Sequence, residues 1–173
     1  MIIDISKVIL TKNKEDTYSC CVENSMIDYQ GRSFPIIDSK PFELNVVNEE
    51  GEHLNISGNT SLEVVMPCDR CLTSVNVPFD INVSKLLRIS DEIVLSEDEE
   101  ISYINEGELD VDRLLFDEIL VDWPSKVLCY GDCKGICPKC GANLNISPCD
   151  CEVRVIDPRM AAFQDVFREF KEV

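Results

Sequence analysis

The residues best suited to chemistry in this chain are cysteines, because eight of its ten cysteines occur in closely spaced groups. Cys68 and Cys71 are separated by two residues, and six further cysteines lie between Cys129 and Cys151. Thiolates are soft ligands that select zinc or iron, and four of them form the usual closed structural zinc site. The spacing therefore favours metal binding over disulfide formation.

The N-terminal sequence MIIDISKVIL supports the same choice. It lacks the basic stretch, apolar core and small-residue cleavage site of a signal peptide. No run approaches the roughly 18 consecutive apolar residues of a membrane span. We therefore expect a cytoplasmic protein without membrane association, and in that reducing compartment clustered cysteines are more often metal ligands or redox groups than disulfides.

Two sets of four ligands are predicted. Cys137-Pro-Lys-Cys140-Gly has the form of a zinc knuckle, and Cys149 and Cys151 are its expected complement. The second set would join Cys68 and Cys71 to Cys129 and Cys133, tying two distant segments together. The sequence leaves open one or two metal ions, zinc or iron, and an exchange of cysteines between the sets.

No residue is predicted to be catalytic. The sequence has no Gly-rich phosphate loop and no Gly-x-Ser-x-Gly elbow, and His53, its only histidine, is expected to be solvated in a polar turn. At least one of the adjacent Cys20 and Cys21 is expected to be buried packing. The Cys-Pro-x-Cys motif also occurs in thiol redox proteins, so a thiol-based redox or metal-responsive protein is the alternative to a non-enzymatic protein with structural metal.

The elements that must position the cysteines begin with a hairpin. Apolar residues alternate from Leu54 to Met66 and again from Val75 to Leu87, which predicts two half-buried strands joined at the Cys68–Cys71 motif. Pro78 predicts an edge or a bulge in the second strand. A shorter strand from Phe42 to Val47 is expected before them.

Two amphipathic helices are predicted after the hairpin. The first begins at Asp110 and ends before Pro124, and the second follows Asp157-Pro158, with apolar residues recurring to Phe170. We expect an α+β fold: an antiparallel β-rich region (1–90), an acidic loop (91–109), and a helix, cysteine-rich zinc-ribbon-like segment and C-terminal helix (110–173). These regions are expected to form one integrated domain.

The ordered motifs together resemble the bacterial and plastid YceD family. They are Cys68-Asp-Arg-Cys71-Leu72, Cys133-Lys-Gly-Ile-Cys137-Pro-Lys-Cys140-Gly-Ala-Asn143-Leu144-Asn145, Cys149-Asp-Cys151 and Asp157-Pro158-Arg159. The resemblance implies a non-enzymatic factor needed for synthesis, processing or stability of 23S ribosomal RNA during large-subunit assembly. It also implies that metal supports the fold more than the shared activity.

The charge of the chain bears on its partner. The formal net charge is −17, whereas RNA phosphates normally require a basic face. Direct RNA binding would need a local patch, for which the candidates are Lys126, Lys134, Lys139, Arg154 and Arg159, with Tyr130 as a possible stacking group. The alternative partner is a basic ribosomal protein of the large subunit. No small-molecule substrate is expected.

Overall fold

The computed structural model describes residues 1–90, 93–95 and 103–151. The predicted C-terminal helix, the candidate RNA-binding residues Arg154 and Arg159, and residues 91–92 and 96–102 of the predicted acidic loop lie outside the described residues.

A long antiparallel hairpin forms the centre of the fold. Strand β6 (His53–Pro67) pairs with β7 (Ser74–Ser90) along its whole length, from His53 opposite Arg88 to Pro67 opposite Ser74. Alternate side chains of β6 are buried, as period two requires when one face of a sheet covers the core. The two predicted strands and the cysteine motif at their junction are therefore confirmed.

Shorter strands extend the sheet beside the two ends of β6. At one end β6 pairs with β5 (Phe42–Glu49), which pairs with β2 (Glu15–Cys20). Toward the other end β6 pairs with β4 (Arg32–Ser39), which pairs with β3 (Met26–Tyr29). β8 (Ile93–Leu95) pairs with residues 88–90 of β7, so among the described strands only β6 lies beside Pro78. Pro78 therefore lies on an edge of the described sheet, a position at which strands tolerate proline.

A second, three-stranded sheet consists of β1 (Ile2–Asp4), β10 (Glu108–Asp110) and β9 (Ile104–Asn105). A single helical turn, α1 (Ser6–Ile9), follows β1, and α2 (Val111–Val121) follows β10. Asp110 caps α2, because its side chain accepts a hydrogen bond from the N–H of Arg113 at 3.1 Å. The predicted central helix is confirmed. β8, β9 and the first two residues of β10 lie within the segment 91–109 that we predicted as a loop, so that prediction is wrong for these residues.

The α+β prediction is wrong. Strands make up 49% of the described structure and helices 11%, and α1 has only four residues. The strand content was underestimated because two- and three-residue strands such as β9 and β10 are too short to show an alternation. The described fold is a strand-rich antiparallel protein with one helix of three turns packed against it.

One hydrophobic core joins both sheets and both helices. It includes Ile5 before α1, Leu54 of β6, Leu109 of β10 and Leu114 of α2, all fully buried. After α2, Trp123 packs against Tyr29, Phe34 and Phe79, with ring centroids 4.7, 5.2 and 6.1 Å away. This contact fixes the point at which the chain leaves the core and enters the cysteine-rich segment. Within the residues that the structure describes, no helix has the length and apolar character needed to cross a membrane.

Candidate metal centre

Eight cysteines form two groups of four at the junction of the long hairpin and the segment after α2. The knuckle site consists of Cys68, Cys71, Cys129 and Cys133, and the ribbon site consists of Cys137, Cys140, Cys149 and Cys151. Within each group the sulfur atoms all lie within 4.8 Å of one another. These are the two sets that the spacing predicts.

The sulfur distances suit a shared metal ion. Sγ of Cys68 is 3.8 Å from that of Cys133, and Sγ of Cys71 is 3.5 Å from that of Cys129. Four sulfurs placed tetrahedrally around zinc at 2.3 Å would be about 3.8 Å apart, whereas a disulfide needs about 2.05 Å. All eight cysteines are unpaired thiols in this structure. The donor set and its spacing therefore fit zinc or another ion that prefers four thiolates.

Both sites begin with the same backbone turn. In the knuckle site, the N–H of Leu72 donates to the carbonyl of Cys68 at 2.9 Å, and Leu72 has a φ of 61°. In the ribbon site, the N–H of Gly141 donates to the carbonyl of Cys137 at 2.9 Å, and Gly141 has a φ of 73°. Glycine adopts this left-handed conformation without steric cost, whereas leucine does not. The turn directs backbone N–H groups toward the sulfur of the first cysteine.

Those N–H groups change the acidity of the first cysteine in each site. For Cys68, desolvation raises the pKa, but hydrogen bonds from the backbone of Arg70, Cys129 and Cys71 outweigh it and lower the pKa to about 6. For Cys137, the backbone N–H groups of Cys140 and Lys139 lower the pKa to about 6. A backbone donor stabilises the thiolate over the thiol. Each site thus holds one cysteine ready to bind a cation.

The last thiols to ionise are Cys129 and Cys151. Desolvation and the neighbouring thiols of Cys71 and Cys133 raise the pKa of Cys129 to about 12. The Cys140 thiol and desolvation raise the pKa of Cys151 to about 12. Four thiolates without a cation repel one another, so each cluster is complete as a ligand set only when a cation neutralises that repulsion.

Four hydrogen bonds of Asp69 and Arg70 attach the cysteine-rich segment to the hairpin tip. Asp69 and Val127 exchange two of them, since the N–H of Asp69 donates to the Val127 carbonyl at 2.8 Å and the N–H of Val127 donates to the Asp69 carboxylate at 2.7 Å. Arg70 donates from Nη1 to the Cys133 carbonyl at 2.8 Å and accepts from the N–H of Ile136 at 3.0 Å. Buried Cys68, Cys71 and Cys133 form a small cluster separate from the main core.

The structure also places the candidate RNA contacts and the residues that were not predicted to bind metal. Lys126, Lys134 and Lys139 are exposed on the cysteine-rich segment, and Tyr130 is 49% exposed beside the knuckle site. Cys20 is buried in the main core and Cys21 is exposed, as expected for one packing cysteine. His53 is partly exposed at the start of β6 and belongs to neither cysteine group.

Sequence reasoning missed the polar side chains that support the sulfurs. Thr73 contacts Cys71, and Asn143 contacts Thr73. Asn145 contacts both Asn143 and Cys133. The signal was present as the Asn-Leu-Asn sequence between the two ligand pairs of the ribbon site. The sequence alone could not show this supporting role, because the supported cysteines, Cys71 and Cys133, belong to the knuckle site.

The fold and the site together define a strand-rich antiparallel protein whose central hairpin carries a cysteine-rich segment with two four-thiolate sites. A family model described as "Large ribosomal RNA subunit accumulation protein YceD" matches residues 56–167. This match covers more than half of the chain and includes both cysteine groups. The chain belongs to the YceD family.

Curated bacterial proteins are similar to about two thirds of the chain. The chain is 27% identical over 122 residues to the uncharacterized protein ML1660 of Mycobacterium leprae, covering 69% of this chain and 56% of that protein. It is 26% identical over 113 residues to the uncharacterized protein YlbN of Bacillus subtilis, covering 64% of each. The match therefore spans less than two thirds of the length of either relative.

A shorter match is to a plant protein. Over 44 residues the chain is 41% identical to the chloroplast protein of Arabidopsis thaliana named "Large ribosomal RNA subunit accumulation protein YCED homolog 1", which is 25% of this chain and 14% of that protein. No solved structure matches the chain significantly.

Proposed function

We propose that this protein is a non-enzymatic cytoplasmic factor that supports accumulation of 23S ribosomal RNA during assembly of the large ribosomal subunit. The family match over residues 56–167 carries this proposal, because the family is described by that role. The described sites are consistent with it, because the four cysteines of each set would fill the tetrahedral coordination of a structural zinc ion.

Structural zinc is the second part of the proposal. Each four-thiolate set would hold one Zn²⁺, and the knuckle site would fasten residues 129–133 to the hairpin tip 58 to 65 positions earlier in the chain. A closed four-thiolate zinc shell contributes folding free energy and offers no open coordination position for catalysis. The metal therefore holds a binding surface in shape.

Electrostatics favours a basic ribosomal protein as the direct partner. The formal charge of −17 becomes about −21 when two four-thiolate zinc sites are counted, since each carries two negative charges. Such a field attracts basic protein segments and repels RNA phosphates. The effect on ribosomal RNA would then be indirect, through protection or delivery of that protein.

Direct RNA contact is the second version of the proposal, because Lys126, Lys134 and Lys139 are all exposed on the cysteine-rich segment.

Two charge variants distinguish RNA binding from binding of a ribosomal protein. Changing Lys134, Lys139 and Arg154 to Glu would abolish RNA association if the lysine patch binds RNA. Neutralising the acidic residues from Glu97 to Glu100 would weaken capture of the ribosomal protein if the acidic surface binds it. The exposed Lys40 lies on the β4–β5 connection, so Lys40→Glu is a charge control outside the cysteine-rich segment.

Depletion of the protein tests the main proposal. We expect a selective fall in mature large-subunit ribosomal RNA relative to small-subunit RNA, together with loss of the large-subunit peak on a sucrose gradient. An unchanged ratio and an unchanged gradient in depleted cells would contradict the role in large-subunit assembly, whatever the metal content of the protein.

Metal analysis tests the structural sites against the thiol-redox alternative. Protein purified under reducing conditions should contain about two zinc ions per chain, with all eight clustered thiols slow to react with an alkylating reagent. Metal-free protein with rapid alkylation of Cys137 and Cys140 would instead support redox chemistry. Iron would be recognised by its colour.

A further inference from the structure

The two cysteine sites are joined by side chains of the ribbon loop, which we define as residues 141–148 between Cys140 and Cys149. This loop connects the two ligand pairs of the ribbon site, yet two of its side chains reach toward ligands of the knuckle site. The loop therefore links ligands of the ribbon site along the chain, while its side chains reach the ligands of the knuckle site.

Asn145 makes the direct contact. Its Nδ2 lies 3.3 Å from Sγ of Cys133, and the same amide nitrogen donates to Oδ1 of Asn143 at 2.8 Å. Its Oδ1 accepts a hydrogen bond of 2.7 Å from the backbone N–H of Lys134. Because the oxygen is held by an N–H donor, the amide nitrogen must face the sulfur. The side chain thus presents a donor to a thiolate that the knuckle site would place on its metal.

Asn143 makes a second, indirect contact. Its Nδ2 lies 3.4 Å from Oγ1 of Thr73, and that hydroxyl lies 3.2 Å from Sγ of Cys71. A hydroxyl that accepts from the amide is free to donate its own hydrogen to the Cys71 thiolate. Two of the four knuckle-site sulfurs are therefore supported from the ribbon loop.

We propose that Asn145, assisted by Asn143, is a positioning residue that couples the two metal sites, so that metal in the ribbon site strengthens metal binding in the knuckle site. This inference rests on the metal binding proposed above. The ribbon site fixes both ends of the loop through Cys140 and Cys149. Once the loop is ordered, its donors reach Cys133 and Thr73 without further loss of conformational freedom, and donors to a bound thiolate strengthen metal binding.

The coupling must act in both directions. If metal in the ribbon site raises the affinity of the knuckle site by some factor, metal in the knuckle site raises the affinity of the ribbon site by the same factor. A factor of about ten is typical of such coupling between two sites. Repulsion between two doubly negative centres acts in the opposite direction, so the sign of the coupling distinguishes the two effects.

Zinc affinities measured by chelator competition test the coupling on the full chain. The knuckle site is measured alone in the double variant Cys140→Ser, Cys149→Ser, and the ribbon site alone in Cys71→Ser, Cys129→Ser. The overall constant for loading both sites of the parent protein, divided by the product of the two single-site constants, is the coupling factor. We expect about ten for the parent and about one when all three proteins also carry Asn145→Asp (N145D).

Asn82→Asp is the matched control, because Asn82 is exposed on β7 opposite Asn59, in the middle of the hairpin, and the change adds the same charge away from both sites. It should leave the factor at about ten. If N145D does not retain two metal ions, Asn145→Ala removes the same donor without adding charge. A factor of one or below in the parent protein, or a factor of ten that persists without the Asn145 donor, overturns the proposal.

Cobalt supplies a readout that a merely structural role would not change. A hydrogen bond stabilises sulfur lone pairs, so its loss should shift part of the sulfur-to-cobalt charge-transfer absorption of the two-cobalt protein to lower energy. We expect this shift in N145D and not in Asn82→Asp. A protein that binds fewer than two ions contradicts the metal sites themselves, whereas two ions with independent affinities contradict only the coupling.

Discussion

At the scale of single residues, the two sites depend on glycines at positions where a side chain would be strained or crowded. Gly135 lies between the sites, with a φ of 79°, and a Cβ atom there would be 3.0 Å from the carbonyl oxygen of Arg70. That carbonyl accepts the hydrogen bond from Ile136 that attaches the ribbon to the hairpin. Gly135 is therefore constrained by both its conformation and its surroundings.

Alanine substitutions separate these two constraints. Gly141 has a similar φ of 73° with open space around it, so Gly141→Ala should cost only the left-handed strain of about 1–2 kcal/mol. Gly135→Ala should cost roughly 1–3 kcal/mol more, because the backbone of Arg70 must move. Gly131 has neither constraint and Gly131→Ala is the control. Denaturant unfolding of the three zinc-loaded variants gives the order, and equal costs at Gly135 and Gly141 would contradict the contact with Arg70.

The thiol pKa values predict how metal binding depends on pH. At pH 7 Cys129 and Cys151, with pKa values of about 12, are protonated in the metal-free protein, so each site must release at least one proton when it binds metal. Affinity should therefore fall by about tenfold or more per site for each pH unit between 8 and 6. Zinc titrations in two buffers of different ionisation enthalpy count the protons, and heat that is independent of the buffer would refute this prediction.

At the scale of elements, α1 is too short to be stable alone and depends on the sheet. Asn48 of β5 is buried, and its Nδ2 donates to the carbonyls of Val8 and Ile9 at 2.9 and 2.8 Å. Its Oδ1 accepts from the N–H of Gly51 at 2.8 Å. One side chain thus satisfies the end of the helical turn and the turn between β5 and β6.

Asn48→Ala should destabilise the fold by about 3 kcal/mol, because it removes three hydrogen bonds, two to the carbonyls of Val8 and Ile9 and one from the N–H of Gly51. The measurement is the free energy of unfolding in urea, with metal bound. Asn59→Ala, at an exposed position of β6, should change it by less than about 0.5 kcal/mol. A loss at Asn48 no larger than that at Asn59 would show that α1 does not depend on this side chain.

At the scale of the whole molecule, the described residues contain two centres of stability. The main core joins both sheets, α1 and α2, whereas the knuckle site has its own small cluster with Val75, Leu128 and Cys129. Hydrophobic burial holds the first together, and the second has few apolar side chains. The cysteine-rich segment should therefore depend on metal far more than the sheets do.

Removal of metal by a chelator should expose residues 124–151 and the hairpin tip without unfolding the sheets. Hydrogen exchange should show faster exchange at the N–H groups of Asp69, Val127 and Ile136, which bond across the two segments. The N–H groups of β5 and the adjacent half of β6 should remain protected. Loss of protection throughout the sheets would mean that metal supports the entire fold.

The sequence by itself determined the hairpin and the central helix. It predicted the two cysteine sets but left open an exchange of cysteines between them, which only the tertiary structure decided. Alternation from Leu54 to Met66 and short spacing between cysteines are local properties, and chain proximity limits which thiols can meet. The family could be recognised from the order of those motifs, because motif order can be read without knowledge of tertiary contacts.

Only the tertiary structure decided the rest. The short strands β9 and β10 exist because β1 and β10 pair across more than a hundred residues, a partnership that no local pattern records. The roles of Asn145 and Asn143 likewise depend on the hairpin tip being folded against the ribbon loop. Long strands, helices and ligand types can be predicted from neighbouring residues. Short strands and supporting hydrogen bonds depend on contacts between segments that are distant in the sequence.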